Sequence, residues 1–329
     1  MIGEKRNEPL ADHAGRAEHT HFELRSHARA LTRRDSLRKV TALRERLLGK
    51  RVGVVLSAGY FGFYGHAGFV EGLLSSGITP AAWAGTSAGG MVAAFAAAGL
   101  APSRMAELIL QQRREHFWDP DYFGIALDSM RSGHRASGLL KGARFVELLK
   151  QFLPIQTFES LKTPLLLVAT NLTTQEPSVI TTGDLPSAVH ATCAYPGLFQ
   201  AVRREGQLLW DGGIVDKAPA LALSESPLGK SLDALVVHFL PSRDGAKEPR
   251  GAFAYASGMA NGFAAIRKAH FRLQLELLRA RGIEVHVITS RLPPVSPSEM
   301  HRGPEAVAAG RESAIAALNA PSAGWSGED

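Results

Sequence analysis

The stretch Gly85-Thr86-Ser87-Ala88-Gly89 decides how this chain is read. It lies between a short apolar run at 81–84, read as a strand, and a small-residue segment at 88–98, read as a helix. Where G-x-S-x-G joins a strand to a helix, the serine occupies a sharp turn, and bulky neighbours two positions away would collide with both elements. Ser87 is therefore the candidate nucleophile, with Gly85 and Gly89 forming its elbow. A serine at a helix start also has backbone N–H groups aimed toward an anion that forms beside it. The plain alternative is a glycine-rich turn in which Ser87 only caps the helix.

Outward from this turn, apolar strand-like runs occur at 52–56, 165–170, 234–239 and 283–288. Continuous apolar runs of this length suit strands covered on both faces. Helical patterns separate them, at 66–75, 187–193 and 304–318. Leu37, Val40, Leu43 and Leu47 trace a short amphipathic helix over 36–48 that Gly49 can end. Phe263, Ile266, His270, Leu273 and Leu277 trace one face of a long helix that Gly282 stops. Between 101 and 160 the chain reads as helices and loops, and Phe117, Trp118, Tyr122 and Phe123 could belong either to the core or to an apolar groove. This alternation predicts an α/β layered fold with a mainly parallel sheet. The chain divides into a basic, mobile arm at 1–35, one domain at 36–320 and a flexible tail at 321–329.

Composition narrows the class. A chain of 329 residues with 45% hydrophobic side chains can fill a large core. Wholesale disorder, a collagen-like repeat and a disulfide-held miniprotein are excluded, and a single Cys makes no internal disulfide. The net charge of +6 is that of residues 1–51, which hold 13 basic and 7 acidic side chains; the remainder is neutral. The first thirty residues lack the apolar core of a secretory signal, and the most apolar helical stretch, 91–100, is about half the length of a bilayer crossing. The expectation is a soluble, cytoplasmic protein that touches a membrane peripherally at most. The basic arm lacks the aromatic interleaving of a nucleic-acid binder, so no specific nucleic acid is expected. His13, His19, His21 and His27 lie in an unpatterned segment, and neither metal nor cofactor is expected. Oligomeric state is left open.

The serine needs a base. In the hydrolase order of Ser, then Asp or Glu, then His, Asp211 could act with His238 or His286, both near the ends of predicted strands. A simpler pair uses Asp211 alone, set by Asp211-Gly212-Gly213 against Ser87.

Three ordered blocks resemble the patatin-like phospholipase family of lipid acyl hydrolases. They are Leu56-Ser57-Ala58-Gly59 through His66-Ala67-Gly68, then Gly85-Thr86-Ser87-Ala88-Gly89-Gly90, and then Ala191-Thr192-Cys193-Ala194-Tyr195-Pro196-Gly197-Leu198-Phe199 followed by Asp211-Gly212-Gly213 and Pro219. The resemblance covers roughly residues 50–220. It implies a three-layer α/β/α patatin-like sandwich and a Ser–Asp dyad of Ser87 and Asp211, with no histidine in the chemistry. It also implies an oxyanion hole of backbone N–H groups near Gly59, Tyr60 and Phe61, and an acyl-lipid or ester substrate. One departure stands out. The family's first block carries three glycines, then an Arg-Gly pair, whereas here Tyr60 replaces the third glycine and Gly62-Phe63 replace the pair. The usual arginine is absent, and Tyr60, Phe61, Phe63 and Tyr64 are expected to give an apolar rim that favours a less charged acyl ester. The alternatives to a dyad hydrolase are a Ser-His-Asp esterase and an inactive binding protein of the same fold.

Overall fold

Runs of aliphatic side chains in the chain become strands because both of their faces can be covered. The computed structural model describes residues 41–124, 138–241, 254–296 and 299–321. Its strands are β1 (Val52–Leu56), β2 (Pro80–Thr86), β3 (Gly138–Leu140), β4 (Leu165–Asn171) and β5 (Pro177–Ile180). They continue with β6 (Gly197–Phe199), β7 (Val202–Arg204), β8 (Gln207–Asp211), β9 (Ala234–Phe239) and β10 (Glu284–Thr289). The helices are α1 (Leu43–Leu47), α2 (Phe63–Ser75), α3 (Ala88–Ala97), α4 (Pro102–Leu110) and α5 (Arg114–Phe117). After them come α6 (Ala143–Phe152), α7 (Leu185–Cys193), α8 (Ala220–Glu225), α9 (Ala254–Ala280) and α10 (Gly303–Asn319). The arm at 1–35, the first part of the 36–48 helix, the four early histidines, most of a polar stretch at 241–250 and nearly all of the tail lie outside the described residues.

The main sheet has the order β10-β9-β1-β2-β4-β8-β7, with β5 also on β4. From β10 to β4 every pairing is parallel, and β5, β7 and β8 add antiparallel pairings. Side chains alternate between two cores, as the period of a strand requires. Val54, Leu167 and Val236 face one layer with Phe69 of α2, Phe95 of α3, Val189 of α7 and Leu318 of α10. Val55, Val168 and Val237 face the other, with Leu223 of α8 and Phe271 and Leu275 of α9. The result is the expected α/β/α sandwich with a mainly parallel central sheet. Each large side chain so buried contributes about 1.5–3 kcal/mol.

The structure corrects one helical face. Phe263, Ile266, Leu273 and Leu277 were expected to point inward, yet Ile266 is 65% and Leu273 63% exposed. Phe271, Leu275 and Leu278 are buried instead, and Phe271 stacks on Phe239 with ring centroids 4.5 Å apart. At 100° per residue these two apolar stripes lie roughly 120° apart on the helix. Periodicity marks both; a flat aromatic partner on β9 selects the second. The short parallel pair β3–β6 is also absent from the sequence reading. Three-residue strands carry too little pattern to be seen.

Sheet register brings the site together. Thr86 on β2 pairs with Val168 of β4, and Asp211 on β8 pairs with the next residue, Ala169. Ser87 and Asp211, 124 residues apart, are therefore carried to opposite sides of the middle of β4.

Candidate active site

Ser87 leaves β2 with φ 55° and ψ −127°, a conformation that a non-glycine residue adopts only under strain. Such strain costs on the order of 1–3 kcal/mol and persists only where the surroundings hold it. Two things hold it here. The backbone is squeezed between neighbours: a Cβ on Gly89 would lie 2.3 Å from the Leu56 carbonyl oxygen, and one on Gly85 would lie 2.7 Å from that of Gly89. This is the collision anticipated for the G-x-S-x-G elbow. In addition, the Ser87 N–H donates to Thr192 Oγ1 at 2.9 Å, and the Thr192 hydroxyl donates to the Val168 carbonyl at 2.5 Å. In the sequence Thr192 is one residue of the third block, and its partnership with Ser87 is legible only across the 105 residues that separate them. Because the Ser87 N–H is occupied by Thr192, it is not one of the free donors expected at the helix start.

Asp211 closes the arrangement. Ser87 Oγ donates to Asp211 Oδ2 at 2.6 Å, and the Gly213 N–H donates to Oδ1 at 2.7 Å. The main chain of Asp211 is fixed on both sides: its N–H donates to the Ala194 carbonyl at 2.9 Å, and its carbonyl accepts from Thr170 Oγ1 at 2.8 Å. Burial pushes its carboxyl pKa up to about 6, against the pull of the Ser87 hydroxyl, the Gly213 N–H and the nearby charge of Arg267. Each oxygen therefore has a donor, and the group remains a carboxylate at neutral pH while being a far better base than a free Asp. Burial, with a smaller contribution from the Asp211 charge, holds the Cys193 thiol well above the usual range. It remains a thiol, not a nucleophile.

Neither histidine of the triad alternative reaches the pair. His66 Nε2 donates to the Ser57 carbonyl at 2.8 Å, which leaves His66 Nδ1 bare to accept from His238 Nδ1 at 2.7 Å. His238 Nε2 then accepts from Ser290 Oγ at 2.8 Å. Burial drives the His66 pKa down to about 3 and that of His238 well below its usual value, so both rings are neutral. His286 is committed to Glu284 at 2.7 Å.

The first glycine block forms a tight turn in which the Gly62 N–H donates to the Gly59 carbonyl at 2.8 Å. Phe61 has φ 54°, a second non-glycine residue in the left-handed region besides Ser87. Among the described residues the N–H groups of Gly59, Tyr60 and Phe61 have no hydrogen-bond partner. The expected aromatic rim divides: Tyr60 is exposed, whereas Tyr64 is completely buried and belongs to the core. Likewise Phe117 and Trp118 pack against Leu140, Ala194 and Phe199, while Tyr122 and Phe123 face outward. A cleft of about 670 Å³, lined by Arg104, Phe152 and Lys162 among others, opens beside Ala98 and Gly99. Ser87 stands at the other end of α3, roughly 15 Å away along the helix, so this cleft is separate from the Ser87–Asp211 pair.

A sequence profile of the patatin-like phospholipases matches residues 54–224, just over half of the chain. The chain belongs to the patatin-like phospholipase family. Both dyad residues fall inside that patatin-like segment, and α9 falls outside it. An uncharacterized NTE family protein of Mycobacterium tuberculosis is 27% identical over 199 residues, covering 56% of this chain and 52% of the relative. A second such protein from the same organism is 29% identical over 182 residues, covering 54% of this chain and 29% of the relative. This patatin-like chain thus spans about half the length, or less, of these curated relatives. The crystal structure of VipD from Legionella pneumophila is similar with a TM-score of 0.44 and 18% identity, covering 82% of this chain and 67% of that one.

Proposed function

We propose that the chain is a serine-dependent lipid acyl hydrolase that cleaves carboxylic esters of phospholipids or other acyl lipids through a Ser–Asp dyad. The observation that carries this reading is the 2.6 Å hydrogen bond from a strained Ser87 to a buried Asp211 in a patatin-like fold. Asp211 takes the Ser87 hydroxyl proton as the oxygen attacks the ester carbonyl. The free N–H groups of Gly59, Tyr60 and Phe61 receive the oxyanion, where one such donor is worth about 3 kcal/mol in the transition state. The alcohol leaves with the proton from Asp211, and a water activated by the same carboxylate hydrolyses the acyl-enzyme.

Supporting this assignment, the donors are already free and the base already poised before any substrate arrives. Among the described residues no helix is long and apolar enough to cross a membrane, which fits peripheral contact with a lipid surface. We assign the reaction to a domain at 36–320, flanked by the basic arm at 1–35 and the tail at 321–329, and place the protein in the cytoplasm, peripheral at the membrane. The closing of this domain on itself is supported by the Leu43 N–H, which donates to the Ala320 carbonyl at 2.9 Å.

A fluorophosphonate probe tests the chemistry directly. Ser87 is expected to be labelled in the full chain and the Ser87→Ala variant to be silent, with labelling falling tenfold per pH unit below about 6 as Asp211 takes up its proton. An unlabelled Ser87 in folded protein would instead favour the inactive binding protein. Hydrolysis rates across esters of increasing chain length then read substrate class, and a strict preference for acetyl groups would count against a lipid.

A further inference from the structure

Helix α9 lies beyond the patatin-like segment, yet it touches the catalytic turn. Arg267 reaches from it with Nη1 donating to the Gly213 carbonyl at 3.2 Å, and its Nε donates to the Phe263 carbonyl one turn earlier, also at 3.2 Å. Seven residues on, and on the same side of the helix, Gln274 Nε2 donates to Asp216 Oδ1 at 2.8 Å while Gln274 Oε1 accepts from the Leu221 N–H at 3.0 Å. The segment that follows Asp211 is thus clamped to α9 at two points.

The two clamps differ in kind. Gln274 satisfies buried polar groups without a net charge. Arg267 is half-buried and makes no ion pair with a carboxylate among the described residues. An arginine used only as a strut normally carries an acid partner, because an unpaired partly buried charge is costly. The nearest use for this charge is Asp211, whose carboxylate it favours. From 54 residues beyond Gly213, α9 thus brings a cation to the Asp-Gly-Gly turn.

We propose that Arg267 is a positioning residue of this active site: it fixes the Asp-Gly-Gly turn through the Gly213 carbonyl and keeps a permanent positive charge beside Asp211, so that the base is held as a carboxylate facing Ser87. The proposal deepens the dyad reading and rests on it for its catalytic consequence. The groups that face Asp211 are few. Ser87 at the start of α3 and the Gly213 N–H donate to the carboxylate, Cys193 of α7 offers a neutral thiol, and β4 offers only the Thr170 hydroxyl, to the main chain. Arg267 is the fixed charge among them. Lys217 and Lys268 belong to the same positive neighbourhood: with burial, Arg267 and Lys268 bring the Lys217 pKa down to about 7.

The test titrates Asp211 itself in the full chain. Carboxyl-13C aspartate labelling, with Asp211→Asn to assign the signal, reports its protonation whether or not the protein turns over. The wild type is expected to titrate near 6, Arg267→Met about one unit higher, and Arg267→Lys within a few tenths of the wild type, because lysine keeps the charge and loses the planar fork. The acid limb of kcat/KM on a neutral ester such as p-nitrophenyl butyrate should move in parallel. An Asp211 titration unmoved by Arg267→Met overturns the proposal, as does an equal displacement by Arg267→Lys, which would mean that shape and not charge matters. Hydrolysis that persists in Ser87→Ala, or is absent from the wild type, would instead sink the dyad and leave the coupling between Arg267 and Asp211 to be read from the titration.

Discussion

Two buried polar pairs stand at the same end of the parallel sheet, and they are opposites. His66 and His238 share a 2.7 Å hydrogen bond in which every ring nitrogen has a partner, from the Ser57 carbonyl to Ser290. Phe69 stacks on His238 with centroids 4.0 Å apart, and both rings are neutral. Ser87 and Asp211 share an equally short contact, but there the backbone is strained, a charge is kept in a desolvated place and free N–H groups wait nearby. Burial and a close hydrogen bond therefore do not identify a reaction centre. What separates the two pairs is unspent capacity: one is complete in itself, the other is complete only with a substrate.

The largest effects should fall on catalysis. Ser87→Ala and Asp211→Asn should each lower ester hydrolysis by roughly a thousandfold or more with the circular dichroism spectrum unchanged. Full activity in Asp211→Asn would erase the contrast. On the histidine side the effect should appear in stability. His238→Leu leaves the His66 ring and the Ser290 hydroxyl without their partner and should cost about 2–4 kcal/mol in urea unfolding, while kcat per folded molecule stays within about twofold. A collapse of kcat in that variant would return a histidine to the mechanism. The same pair sets an acid limit. Both pKa values lie below that of an unfolded histidine, so the unfolded chain binds more protons, and stability falls as pH drops below about 6.5.

Smaller effects sharpen the distinction. Thr192→Val removes the acceptor of the Ser87 N–H and should cost about 1–3 kcal/mol and roughly tenfold in kcat, with Thr192→Ser close to the wild type. The Asp211 pKa moves the other way from those of the histidines: at about 6 it is raised, because its donors and Arg267 offset the cost of burying the charge only in part. Asp211→Asn should accordingly raise stability at pH 7 by about 1–2 kcal/mol and lose most of that advantage by about pH 3.5, where the unfolded Asp is largely protonated as well. Differential scanning calorimetry at the two pH values reads it, and an equal effect at both would show that no charge is stored there.

How legible this was in the chain depends on the range of the interaction involved. The strands at 52–56 and 234–239 match the apolar runs residue for residue, since burial on both faces leaves a local mark. The elbow at Ser87 is equally plain, because its five residues are contiguous and Gly85 is pressed from within them, by the Gly89 carbonyl, although Gly89 itself is pressed by the distant Leu56 carbonyl of β1. By contrast, the residues alone left Asp211 with two arrangements, and the resemblance to patatins pointed to the histidine-free one. Thr192 and Arg267 carried no local signal at all, being a threonine within a helix and one of several basic residues on a helix.

By itself the sequence determined which segments become strands and helices, that they stack in three layers, and where a strained nucleophile must sit, for these follow from side-chain size and period over a few residues. Only the tertiary structure decided which apolar stripe of α9 turns inward, that β4 sets Thr86 and Asp211 at adjacent register positions, and that Thr192 meets the Ser87 N–H and Arg267 the Gly213 carbonyl. The reason is that hydrogen-bond partners and facing charges are properties of space, and chain separations of 54 to 124 residues leave no periodicity from which to infer them.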